Sequence, residues 1–217
     1  MFRLRHVYKT YHSDHHILSG VNFEFEKRGL YLIQGESGSG KTTLFKLLTK
    51  SIQPTSGEIF LQELNINHLT LNEIADYRKK IGIVFQDFKL IPELNLFENI
   101  ALPLKIKREN SKAIKTKVEE CAKKLKIQDL LSEYPEYLSG GQQQKAAVAR
   151  ALIAEPQIII ADEPTGNLDK TNSLQILNIF LEKASANTLV IVATHDENLL
   201  SNKDAKIVRL EKGKLII

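Results

Sequence analysis

The segment Gly35-Glu36-Ser37-Gly38-Ser39-Gly40-Lys41-Thr42 fits the pattern G-x-x-x-x-G-K-[ST]. An apolar run, Leu30 to Ile33, leads into it, and a helical stretch from Lys41 to Thr49 leads out. A strand that turns through glycines straight into a helix favours a chain of alternating strands and helices. The glycines let successive backbone N–H groups face one point, a concavity that holds phosphate oxygens. The helix N-terminus behind them adds the positive end of its dipole. Gly35, Ser37, Gly38, Ser39, Gly40, Lys41, Thr42 and Thr43 are therefore the candidate phosphate-binding residues. Lys41 would reach the β- and γ-phosphates, and the Thr42 hydroxyl would ligate Mg²⁺. The loop implies a nucleoside triphosphate as ligand.

The rest of the chain keeps the same rhythm. Phe2 to Tyr8 and Val21 to Phe25 alternate with period two, as half-buried strands do. Leu30 to Ile33, Ile81 to Phe85, Ile158 to Ala161 and Leu189 to Ala193 are short apolar runs, like strands covered on both faces. Helical patterns lie between them at Lys41 to Thr49, Leu71 to Lys80, Gln142 to Ile153 and Thr171 to Ala184. The expected class is α/β with a mainly parallel sheet. From about Asp87 to Glu155 the pattern holds only helices. Ile114, Val118, Cys121 and Leu125 share one helix face, with Asn110 or Ser111 as its cap. This block reads as a helical lobe inserted into the core.

Two further groups belong at the C-terminal ends of strands, where open parallel sheets gather their ligands. Ile158 to Ala161 runs into Asp162-Glu163. Asp162 is placed to hold Mg²⁺ through water and Glu163 to accept a proton from an attacking water. The strand Thr188 to Ala193 ends in Thr194-His195-Asp196, so His195 is either a γ-phosphate contact or an ordinary surface histidine. Gln86 follows a strand too, and a carboxamide there can ligate Mg²⁺ and hydrogen-bond water. The N-K-x-D segment usual in guanine-specific proteins is missing, since Asn202-Lys203-Asp204 has its Asp one place early. ATP is the expected nucleotide.

Composition narrows the setting. The 217 residues suit one large domain, or a core plus a lobe, and 42% hydrophobic with 26% charged residues is ordinary folded composition. No apolar stretch approaches the roughly 20 residues of a membrane span, and no apolar run follows the basic residues near Met1 as in a signal peptide. One cysteine, Cys121, excludes an internal disulfide. These features suggest work in the cytosol. The formal net charge is +4. Residues 105 to 126 alone hold nine Lys/Arg against three Glu, so the excess belongs to the helical lobe.

Leu138-Ser139-Gly140-Gly141-Gln142, lying after the phosphate loop and before Asp162-Glu163, resembles the signature of ATP-binding-cassette (ABC) ATPases. The resemblance runs along essentially the whole chain, with five motifs in the family's order. It implies a P-loop, RecA-like core over residues 1–86 and 157–217, with an antiparallel β portion at its N-terminus. Residues 87–156 would be the helical subdomain. It assigns Gln86 to the Q-loop, Asn167-Leu168-Asp169 to the D-loop and His195 to the switch histidine. Tyr11 would stack on adenine, with Tyr8 the weaker candidate. The family pairs two cassettes head to tail, so Ser139, Gly140, Gly141 and Gln142 would act in trans on the nucleotide held by a partner's Lys41. Each chain would then carry two half-sites of an ATPase.

Within the family, Leu90-Ile91-Pro92, Glu98 to Leu104, Leu138 to Gln144 and Pro164 to Asp169 are similar to the macrolide-exporter and lipoprotein-release group. That group implies a homodimer at the cytoplasmic side of the cell membrane, peripheral and held by a separate permease. The expectation is export of a peptide, drug or lipid-like substrate. The alternative is a force-transmitting ATPase of the cell-division type that carries nothing. Lys145 replaces the group's usual arginine, losing its planar fork of donors, and Glu36 occupies a position often held by proline. The lysine-rich stretch Lys105 to Lys126 would face an anionic inner leaflet or simply solvent. Its lack of aromatics argues against nucleic acid. His12, His15 and His16 with Asp14 form a weak metal candidate, and Cys121 reads as packing.

Overall fold

The structure is a computed structural model that describes residues 1–11 and 16–217. His12, Asp14 and His15 of the metal candidate lie outside the described residues. β1 (Phe2–Thr10) pairs antiparallel with β2 (His16–Phe25). β3 (Gly29–Gln34) then runs through the glycine loop into α1 (Lys41–Leu48). β4 (Ser56–Leu61) returns antiparallel to β1, and β5 (Leu64–Asn65) pairs with β4. These strands make a four-stranded sheet in the order β2-β1-β4-β5.

After α2 (Leu71–Arg78) and β6 (Ile81–Val84), three helices follow in succession: α3 (Leu96–Ile106), α4 (Ser111–Lys124) and α5 (Gly140–Leu152). The chain closes with β7 (Ile158–Asp162), α6 (Lys170–Ser185), β8 (Leu189–Ala193), the short α7 (Glu197–Leu200), β9 (Ala205–Glu211) and β10 (Lys214–Ile216). The second sheet has six strands in the order β10-β9-β3-β8-β7-β6. Its neighbours are parallel except β10, which lies antiparallel on β9. The expected α/β class with a mainly parallel sheet and an N-terminal antiparallel portion is what forms.

The period-two alternation of side chains divides the core. Leu30 and Leu32 of β3, Ile159 and Ala161 of β7, and Val190 and Val192 of β8 face the cluster built with α3 to α6. Tyr31 and Ile33, Ile158 and Ile160, and Leu189, Ile191 and Ala193 face the N-terminal sheet and α1. The central strands are thus buried on both faces, which explains their unbroken apolar runs. β4 and β9 carry no such run. In β9 only Val208 and Leu210 are buried among seven residues, so charged positions interrupt the apolar signal and neither strand was expected.

Local chemistry sets the helix ends. Thr70, Asn95, Asn110, Ser139 and Asp169 cap α2, α3, α4, α5 and α6, each accepting a hydrogen bond from a backbone N–H three residues on. The strand expected over Ile81 to Phe85 stops at Val84, so Gln86 lies on a loop. The helix expected from Gln142 begins at Gly140. On α4, Ile114 and Val118 are buried with Leu125, and Cys121 is half-buried. Burial pushes the Cys121 thiol up to about 11, as expected of packing rather than reactivity. Part of the lysine excess is already engaged: Lys117 pairs with Glu109 at 2.7 Å, and Lys107 donates to the Ala154 carbonyl at 2.5 Å.

α5 crosses β6 so closely that a Cβ on Gly82 would strike the Ala151 carbonyl, with Pro156 just beyond. Gly82→Ala should therefore cost about 2 kcal/mol or more of stability, because a backbone carbonyl yields less easily than a side chain. Urea unfolding measures it, and an unchanged midpoint would mean that α5 does not rest on this strand.

Candidate active site

Strands β3, β7 and β8 end side by side, Ile33 aligning with Ala193 and Ala193 with Asp162. That alignment brings the glycine loop, Asp162-Glu163 and Thr194-His195 to one edge. A cavity of about 600 Å³ opens there, and Ser37 to Thr43, Gln86, Asp162, Glu163, Gly166, Asn167 and His195 line it. A neighbouring cavity of about 720 Å³ shares Ser37 to Ser39 and His195 but is walled by Arg209 to Lys212. It contains neither Gln86, Asp162 nor Glu163, so the chemistry belongs to the smaller space.

The loop is built to receive an anion. Gly40 is the residue before α1, with φ of 107°, and no side chain caps the helix. α2 through α6 all have side-chain caps, whereas the first N–H groups of α1 are left facing the cavity mouth. Lys41 is 8% exposed, and its Nζ donates to the carbonyls of Gly35 at 2.6 Å and Glu36 at 3.1 Å. It also lies 3.1 Å from His195 Nε2. The Glu36 side chain is exposed.

Two carboxylates separate at the end of β7. Asp162 Oδ2 accepts a hydrogen bond from Thr42 Oγ1 at 2.8 Å. Glu163 takes a left-handed φ of 47°, which turns its side chain away from its neighbour's direction. Its Oε2 accepts from the His195 backbone N–H at 3.3 Å, and its Oε1 lies 3.5 Å from His195 Nε2. Burial pushes the Glu163 carboxyl above its ordinary value, against the pull of His195 and Lys41. A carboxylate raised this way holds a proton more readily than a solvated one, as a base for water requires.

The oxygens of Thr42, Asp162 and Gln86 all open on the same cavity. This set of hydroxyl, carboxylate and carboxamide suits Mg²⁺, which takes few protein ligands and fills the rest with water and phosphate oxygens. Among the described residues no cluster of three His, Cys, Asp or Glu side chains is placed to hold a metal by itself.

Tyr11 is half-exposed beside the cavity, its hydroxyl 3.4 Å from Thr43 Oγ1 and its ring 5.2 Å from Lys9 Nζ. Tyr8 instead packs edge-on against His16 and closely over Gly20. Ser139 and Gly140 are exposed at the N-terminus of α5, outside the cavity lining. There Ser139 Oγ accepts from Gln142 N while Gln142 Oε1 accepts from Ser139 N at 2.8 Å. Gly140 and Gly141 instead approach Asn167 and Leu168, on the loop that follows Glu163. Asp169 caps α6, and the Asn172 N–H that it accepts holds its carboxyl below the usual range. Lys145 is buried on α5, where desolvation lowers its pKa and the Asp169 charge opposes that shift.

One residue with a part in this arrangement escaped the sequence reading. Arg150 donates Nη1 to the Lys89 carbonyl and Nη2 to the Phe88 carbonyl, both at 2.6 Å. Its only signal was a lone charge inside the apolar run Ala146 to Ile153.

A glycine loop before an uncapped helix, with an aspartate on the loop threonine and a glutamate at the same sheet edge, makes this a P-loop nucleoside triphosphatase. The family model described as "ABC transporter" matches residues 18–166, and the chain belongs to that family. It is an ATPase cassette. It is 33% identical over 216 residues to the cell division ATP-binding protein FtsE of Bacillus subtilis, covering all of this chain and 95% of that protein. It is 36% identical over 215 residues to FtsE of Escherichia coli K12, covering 99% and 97%. A dimeric post-hydrolysis structure of the ATP-binding cassette MJ0796 bound to ADP and Pi superposes with a TM-score of 0.92. The identity there is 34%, over 100% of this chain and 97% of that one. A second dimeric structure of MJ0796, a bacterial ABC transporter cassette, gives 0.93 at 35% identity with the same coverage. No helix among the described residues is long and apolar enough to cross a membrane.

The burial of Glu163 has a measurable consequence. A carboxyl whose pKa is raised on folding binds protons more readily folded than unfolded, so the protein loses stability as pH rises from about 4.5 through the raised value. Glu163→Gln removes that loss. Its stability advantage over the wild type, measured by denaturant unfolding without nucleotide, should grow across this window and then level off. An advantage independent of pH would contradict the burial effect.

Proposed function

We propose that this chain is the ATP-hydrolysing subunit of a membrane complex in which ATP-driven pairing transmits force to a separate membrane partner. Two copies would close head to tail over two ATP molecules. Lys41 and the N–H groups of Ser37 to Thr43 would cradle the phosphates of each ATP, with Tyr11 against the adenine. Thr42, Gln86 and, through water, Asp162 would hold Mg²⁺, which supplies charge neutralisation between the β- and γ-phosphates. Glu163 would take the proton of a water aligned in line with the γ-phosphate. His195, already 3.1 Å from Lys41 Nζ and bonded through its N–H to Glu163, would contact the γ-phosphate.

Ser139 to Gln142 of the second copy would complete the site. The observation that supports this pairing is their absence from their own chain's cavity lining, although Ser139 and Gly140 stand exposed at a helix N-terminus. The capping bond leaves Ser139 able to act there, because a hydroxyl that accepts from Gln142 N still has a proton to donate to phosphate. The Asp169 loop would join the two half-sites, since Asn167 and Leu168 lie against Gly140 and Gly141 of the same chain. Residues 87–156 would move as a helical unit against the core 1–86 and 157–217.

Cell-division work is favoured over export because the full-length relatives at 33% and 36% identity both carry the name cell division ATP-binding protein. The export reading rests on motifs shared with the exporter group and on the transporter cassette MJ0796. Loss of the chain should give undivided, elongated cells if division is the role. Normal division with an accumulating cargo would support export instead. The site would lie at the cytoplasmic face of the membrane, with the lysines of Lys105 to Lys126 toward anionic headgroups. Binding to vesicles should then rise with anionic lipid content and fall when these lysines are neutralised.

Two variants test the mechanism. Glu163→Gln should abolish turnover, a loss of at least about 10²-fold for a general base, yet run as an ATP-dependent dimer in gel filtration. Hydrolysis at the normal rate would remove Glu163 from the role of base. Ser139→Arg should block hydrolysis while the monomer still binds ATP. Equal loss of ATP affinity would contradict a contact made in trans.

A further inference from the structure

Gln86 leaves the core at the end of β6, and the chain after it does not stay with the core. Phe88 and Lys89 both hold left-handed backbone, with φ of 59° and 49°, a conformation uncommon in non-glycine residues and more so in two successive ones. Local bonds to Phe85 and Asp87 shape the turn, and Arg150 ties it to α5, its planar guanidinium spanning both carbonyls at 2.6 Å each. A little further on, the fully buried Asn99 of α3 accepts from Ile91 N at 2.7 Å and donates to the carbonyls of Ile91 and Leu94. The segment that follows Gln86 is therefore fastened at two points to helices, while Gln86 itself remains on the cavity wall.

We propose that Arg150 is a positioning residue. It makes the segment after Gln86 and helix α5 move together, so that a change at Gln86 is delivered to Ser139 at the far end of the same helix. The geometry suits a lever. The C-terminal end of α5 rests on β6 at Gly82, with Arg150 next to that contact. Ser139 lies eleven residues away, roughly 16 Å at 1.5 Å per residue. A turn of about 10° at the supported end would shift Ser139 by about 3 Å, enough to make or break a hydrogen bond to a phosphate. Arg150 meets the two carbonyls with two nitrogens of one rigid plane, which fixes their orientation relative to α5. A lysine in the same place keeps the charge but provides no fork.

The inference rests on the proposed role of Gln86 as a nucleotide contact, so the test must separate the two. Hydrogen exchange is followed at residues 86–92 and 139–146 with and without ATP and Mg²⁺, in the Glu163→Gln protein and in the same protein carrying Arg150→Lys. The expected result is an ATP response at both segments in the first protein. With Arg150→Lys the response should persist at 86–92 and vanish at 139–146. In the background with Glu163 intact, Arg150→Lys should lower kcat at least tenfold while monomer affinity for a fluorescent ATP analogue changes less than twofold.

No ATP response at 86–92 in the first protein would remove the role of Gln86, and this inference with it. A response at 139–146 that survives Arg150→Lys would overturn the lever alone. So would a loss of kcat matched by equal losses of ATP affinity and melting temperature. If Arg150→Lys does not fold, Arg150→Gln, which is shorter, uncharged and offers a single donor nitrogen in place of the fork, carries the same exchange measurement. An ATP response at 139–146 in that variant equal to the parent's would likewise overturn the lever.

Discussion

The uncapped N-terminus of α1 organises this molecule. A helix start without side-chain partners leaves backbone donors free for an incoming anion, and Gly40 at φ 107° has no side chain that could cap it. The Lys41 ammonium lies at the same place, bonded to the Gly35 and Glu36 carbonyls and against His195. Binding a triphosphate must exchange those bonds for stronger, charge-assisted ones.

The register of the parallel sheet turns that one loop into a site. Because Ile33, Ala193 and Asp162 align, groups separated by more than a hundred residues arrive at a single edge, as in the bond from Thr42 to Asp162. The left-handed turn at Glu163 then parts the two carboxylates, one toward the loop threonine and one toward the histidine. α5 extends the arrangement outward. Its capped N-terminus presents Ser139, its middle buries Lys145 within reach of the Asp169 field, and its last turn grips the backbone beyond Gln86.

The phosphate loop was legible in the sequence because its chemistry is local, each glycine and Lys41 acting within one turn. The central strands were legible for a related reason: burial on both faces writes an unbroken apolar run, as in Ile158 to Ala161. β9 was not, because its exposed face carries charges that erase the run, and β4 was not, because Ser56, Gly57 and Glu58 leave only three apolar residues. Arg150 was illegible in principle. Its acceptors are backbone carbonyls 61 and 62 residues away, and a carbonyl leaves no side-chain signature. The motifs identified the group of cassettes but carried no residue that separates export from division.

The proposal that each chain contributes two half-sites can be tested by cross-linking. One copy would carry Ser139→Cys and the other Ser37→Cys, both with Cys121→Ala and Glu163→Gln to remove the background thiol and retain ATP. Mixed and oxidised, the two should form a disulfide-linked pair when ATP and Mg²⁺ are present and not otherwise. Failure to link with ATP bound, or linkage to the same extent without it, would contradict a site completed by the Ser139 end of a second copy.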